Sequence, residues 1–98
     1  SIIYTKKSYT AEEAQFLKNI GFRIQFFRKK AGFSQEELAE RSGLSYSTIS
    51  HIESTSSYTL SMLALHRIAK ALEVEPYQLL SSIKSLSLKY KQEAELSP

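Results

Sequence analysis

Residues 34–54, SQEELAERSGLSYSTISHIES, constrain this chain more than any other stretch, because they read as two short helices joined by a tight corner. Ser34 has Glu37 three positions later, the reciprocal arrangement in which each side chain caps the other's backbone N–H at a helix start. Leu38 and Ala39 then supply an apolar side, and Ser42-Gly43 ends the run. Glycine adopts positive φ without a side-chain penalty, so Gly43 suits both a helix stop and a turn. Ser45 caps the next helix, whose apolar stripe is Ile49 and Ile52. The spacing predicts a second helix over 34–42 and a third over 45–54, the arrangement of a helix-turn-helix.

The third helix has an unusual outer composition. Tyr46, Ser47, Thr48, Ser50 and His51 surround its two isoleucines, and all are hydrogen-bonding side chains of modest length. A helix built only for packing carries Lys/Glu pairs outside and more leucine inside. Short polar groups suit base edges and phosphates in a major groove. The competing explanation is a solvent-facing helix that happens to be rich in serine and threonine.

The flanks fit an all-α fold. Residues 1–9 read as an N-terminal arm with Tyr4, Lys6, Lys7 and Tyr9, in which Ile2, Ile3 and Tyr4 form a short strand only if a partner is present. Thr10 and Glu13 make another capping pair, and Ala14, Leu17, Ile20, Ile24, Phe27 and Ala31 follow helical spacing. Gly21 inside that run marks either a bend or a close approach of two backbones. Gly32 ends the helix, with Phe33 packing inward behind it. Beyond the polar loop at 54–59, Ser61 opens a fourth helix with Met62, Leu65, Ile68, Ala69 and Leu72 on one stripe. Pro76 starts a short fifth, with Leu79 and Leu80 inside. The expected architecture is a compact five-helix DNA-binding domain over residues 10–82, with an arm at 1–9 and a C-terminal extension at 83–98. In that extension Ile83, Leu86 and Tyr90 fit a helix, whereas Leu86, Leu88 and Tyr90 alternate as in a strand. It is read as a dimerisation element or as a flap over the same core.

Composition excludes several classes. At 98 residues the chain is one domain, and with no cysteine it has neither disulfides nor thiolate chemistry. No stretch approaches the roughly 20 apolar residues of a membrane span, and no apolar run follows Lys6-Lys7 as in a secretory leader. A cytoplasmic protein with no membrane partner is therefore expected. His51 and His66 form no zinc-binding pattern, Glu36-Glu37 belongs to a capping signature, and the three glycines make no phosphate-cradling loop. We expect no catalytic residue, no metal site, no cofactor and no enzyme activity. The net charge of +3 and pI near 9.2 permit an anionic partner without demanding one. Arg23, Arg28, Lys29 and Lys30 fall just before the helix-turn-helix, and Arg23 is assigned to phosphates; a solvated helix face is the bland alternative.

Residues from about 20 to 80 resemble the XRE family of phage-repressor-type regulators. The resemblance rests on Arg28 before Gly32, Ser34-Gln35-Glu36-Glu37-Leu38-Ala39, Gly43-Leu44-Ser45, Thr48-Ile49-Ser50, Ile52-Glu53, Ile68-Ala69-Lys70-Ala71-Leu72 and Leu79-Leu80. It implies that Tyr46, Ser47, Ser50 and His51 face bases, with Ser47 and His51 foremost. It implies phosphate contacts for Gln35 and Thr48, with Ser57 and Tyr58 from the following loop. Arg28 and Glu53 match a structural ion pair tying the first helix to the end of the third. The family's usual loop glycine and proline are absent, and Leu60 stands where that proline is common. The implied activity is that of a transcriptional repressor or controller binding double-stranded DNA as a homodimer on a two-fold-related operator. An alternative of another class is an antitoxin-type module that neutralises a protein partner through its arm or tail and binds DNA only for autoregulation.

Overall fold

Four of the five helices begin at a residue whose side-chain oxygen takes up an otherwise unpaired backbone N–H. The computed structural model describes residues 8–54 and 58–81. Thr10 Oγ1 accepts from the Glu13 N–H at 3.0 Å and the Glu13 carboxylate accepts from the Thr10 N–H at 2.9 Å, opening α1 (Ala11–Ala31). Ser34 and Glu37 repeat the exchange at the start of α2 (Gln35–Ser42). Ser45 Oγ accepts from the Thr48 N–H at 3.0 Å before α3 (Tyr46–Ser54), and Ser61 caps α4 (Met62–Leu72) through Ala64. Pro76 occupies the first position of α5 (Pro76–Leu80), where its missing N–H would have no intrahelical partner. Gly43 closes α2 at φ 72°, as the turn requires, but α4 is closed by Glu73 at φ 57°, a left-handed conformation on a residue with a Cβ.

One side chain from each helix meets at the centre. Ile24, Leu38, Ile49, Ile68 and Leu79 are all fully buried, and each contributes about 1.5–3 kcal/mol by leaving water. Ile20, Ile52, Leu65 and Leu72 extend the cluster, with Phe27, Phe33 and Val74 packed at its edge. α2 packs on α3 and α4, while α1 packs on α3, α4 and α5. The described residues contain five helices and no strand, the all-α class expected. No helix among them is long and apolar enough to cross a membrane.

Three expected core positions are outside. Met62 is 82% exposed, because it stands in the first turn of α4 and points beyond the edge of the core. Leu80 lies one residue past the buried Leu79 on a helix of five residues and is 40% exposed. Ala31, the last residue of α1, is also exposed. Residues 1–7 of the expected arm and the whole of 83–98 lie outside the described residues.

Candidate nucleic-acid interface

The corner between α2 and α3 is positioned by the buried inner sides of both helices, Leu38 and Ala39 on one and Ile49 and Ile52 on the other. Ile49 and Ile52 are buried, which leaves the opposite side of α3 to solvent: Tyr46, Ser47 and His51 are exposed, and Thr48 and Ser50 half-buried. α3 also lies against α1 at unusually short range. A Cβ built on Gly21 would stand 2.3 Å from the Ile52 carbonyl oxygen, so the close approach and not the bend explains this glycine.

The exposed side chains are partly organised already. Ser47 Oγ lies 3.5 Å from His51 Nδ1 one turn along, at the outer limit of a hydrogen bond. The His51 ring is stacked on Tyr58, with planes 13° apart and centroids 6.2 Å apart. Tyr58 therefore reaches α3 from the following loop, while Ser57 lies outside the described residues. Thr48 Oγ1 is 2.8 Å from Ser45 Oγ, so its hydroxyl belongs to the N-terminal cap of α3.

Beneath this surface is a buried ionic network. Arg28 Nε donates to Glu53 Oε2 at 2.7 Å and Nη2 to Oε1 at 2.9 Å, a two-pronged contact matching guanidinium to carboxylate. The Arg28 and Glu53 side chains are 10% and 1% exposed. A third donor, Arg28 Nη1, reaches the Phe33 carbonyl at 2.7 Å. The hydrogen bonds that Arg28 donates to Glu53 hold its guanidinium above its ordinary pKa, with desolvation opposing them. Gln35 Nε2 donates to Glu53 Oε1 at 3.1 Å, so the first residue of α2 is tied to the end of α3 through the same carboxylate. Local sequence does not reveal this tie between residues 18 positions apart. This bond uses one of the two N–H groups of the Gln35 amide.

Arg23 is the site residue that the structure moves elsewhere. It is 5% exposed, its Nε donates to the Gln78 carbonyl in α5, and its guanidinium lies 5.5 Å from the centroid of the Phe27 ring. A side chain so enclosed holds α1 to α5 and does not present charge to a phosphate. Sequence alone missed this because basic residues are assigned outward by default, whereas an arginine stem covers apolar surface and its head needs only hydrogen-bond acceptors.

Comparison with known proteins places this geometry. A family model described as helix-turn-helix matches residues 24–79, more than half of the chain. The HTH-type transcriptional regulator SinR of Bacillus subtilis (strain 168) is 38% identical over 61 residues, which are 62% of this chain and 55% of that protein. The chain thus spans about half the length of SinR. The crystal structure of SinR, described as the master regulator for biofilm formation, in complex with DNA superposes with a TM-score of 0.61 at 37% identity. That match covers 63% of this chain and 98% of that one. The restriction-modification controller protein C.AhdI from Aeromonas hydrophila gives a TM-score of 0.61 at 35% identity, over 64% of this chain and 94% of that one.

Proposed function

The chain belongs to the helix-turn-helix family of XRE type, and from that premise we propose that it is a transcriptional regulator that binds double-stranded DNA sequence-specifically. It acts by binding and not by catalysis, as a repressor or controller in the cytoplasm, with two copies on a two-fold-related operator. The observation that carries this reading is the outer side of α3. Tyr46, Ser47 and His51 stand exposed at a corner whose inner side is held by Ile49, Ile52 and the Arg28–Glu53 pair. The similarity to SinR, crystallised with DNA, supports the same use of that surface here.

The parts then take distinct tasks. α3 enters the major groove, where Tyr46, Ser47, Ser50 and His51 meet base edges. Gln35, at the positive end of α2 and steadied by Glu53, meets a phosphate; Thr48 and Tyr58 border the same backbone. The reading side chains include no Arg, Lys, Asn or Gln, so bidentate base codes are missing and DNA shape carries part of the discrimination. Two copies place their reading helices about 34 Å apart, one helical turn.

Selection of bound sequences from random duplex DNA, with the gene's own upstream region as competitor, tests this. The expected result is a two-fold-related motif with half-sites one turn apart. A flat, salt-sensitive profile would leave only backbone attraction and would transfer the search to a protein partner.

A further inference from the structure

Two phenylalanines stand on the wrong side of α1 for a core. At about 100° per residue, Phe22 and Phe26 share one face a turn apart, directed away from buried Ile20 and Ile24. They are 50% and 51% exposed, although burying either would be worth about 1.5–3 kcal/mol. With Gln25, Lys29 and Lys30 they line a shallow concavity of about 450 Å³. Lys18 lies on the same side a turn earlier, and between residues 14 and 35 the sequence contains no acidic residue. Along α1 the feature is therefore an aromatic pair flanked by basic residues, with no acidic residue among the described side chains that line the concavity.

Charge decides what fits there. A second copy packed through this face would bring two sets of lysines together with nothing to neutralise them, a like-charge arrangement that interfaces avoid. The chain's own flanks share the sign: Lys6 and Lys7 precede α1, and residues 82–98 carry three lysines against two glutamates. We infer that the outer face of α1 around Phe22 and Phe26 is a docking surface for an acidic amphipathic segment of another protein. Such a segment presents two apolar side chains three or four positions apart to the phenylalanines and carboxylates to Lys18, Lys29 and Lys30. Gly21, which marks the contact with α3, projects about 100° from Phe22 and about 140° from Phe26. The partner accordingly leaves the reading helix open, and a bound regulator can hold DNA and this segment together.

The test is a random 16-residue peptide library selected against the full chain, with affinities of the enriched peptides then measured by titration. Enriched peptides are expected to carry paired apolar residues and an excess of Asp and Glu. Phe22→Gln/Phe26→Gln should weaken them about tenfold or more. Lys29→Glu/Lys30→Glu, exposed changes that leave the fold intact, should weaken acidic peptides and lessen or reverse the loss of their binding with added salt. Peptides lacking acidic excess, or indifferent to both double variants, would overturn the inference. So would an empty selection, self-association abolished by the phenylalanine changes, binding to anionic phosphatidylglycerol vesicles in place of peptide, or peptide binding that appears only when residues 82–98 are removed.

Discussion

Replacing Gly21 with alanine sets two opposing effects against each other, and the structure says which prevails. Alanine is the better helix former in the middle of α1, by about 1 kcal/mol. The added Cβ, however, would stand 2.3 Å from the Ile52 carbonyl oxygen, inside the 3.0 Å that real contacts essentially never breach. α1 and α3 must separate by about 0.7 Å or more, and the obstacle is backbone, which has no rotamer to escape into. Overpacking of this kind costs about 1–3 kcal/mol, and a backbone collision belongs in the upper half of that range. The net loss is about 1–2 kcal/mol, or a Tm lowered by about 5–15 °C for a domain of this size. Thermal unfolding followed by circular dichroism measures it, with Gly43→Ala as the comparison. Gly43 has φ 72° and no atom within 4 Å of a built Cβ, so its alanine variant loses about 1 kcal/mol through backbone strain alone. The two variants differ in a second readout. Gly21→Ala displaces the reading helix and should lower DNA affinity per folded molecule, whereas Gly43→Ala should lower stability only. A Gly21→Ala protein as stable as the parent, or more so, would refute the close-approach argument.

Four other variants separate structural from reading roles. Arg28→Ala strands the buried Glu53 carboxylate and should cost about 3–5 kcal/mol in chemical denaturation; a loss near zero would show that the pair is not buried in solution. Ser47→Ala with His51→Ala should leave the unfolding midpoint nearly unchanged while flattening discrimination between operator and altered operators, and unaltered discrimination removes them from the base-reading set. Gln35→Ala should weaken specific and non-specific DNA by similar factors, since a phosphate contact carries little sequence information; selective loss at one base pair argues for a different role. Glu73→Gly relieves the left-handed residue that ends α4 and should raise stability by about 0.5–1 kcal/mol, a gain that a denaturant titration resolves.

The helices were legible because their ends are written in local chemistry. Thr10, Ser34, Ser45 and Ser61 each cap within three residues, and Gly43 needs no distant partner to make a turn. Ile24, Leu38, Ile49, Ile68 and Leu79 follow from periodicity alone. What periodicity does not contain is where the core stops. Met62 and Leu80 keep the spacing yet fall past its edge, and Phe22 and Phe26 are aromatic yet face out. The place of Arg23 is hidden for the same reason: nothing local says that α5 will offer it the Gln78 carbonyl. At the candidate interface the outward composition of α3 was readable. The Gln35–Glu53 tie and the stacking of Tyr58 on His51 were not, since each joins residues of different elements through contacts that only the folded chain creates.

The central claim is that α3 reads DNA from the major groove, and methylation interference on the selected duplex tests it most directly. Dimethyl sulfate modifies guanine N7, which lies in the major groove, and adenine N3, which lies in the minor groove. The account predicts interference at guanine N7 within two half-sites about one helical turn apart, weakened in the Ser47→Ala/His51→Ala protein. Interference confined to adenine N3, or none at either position, would contradict it.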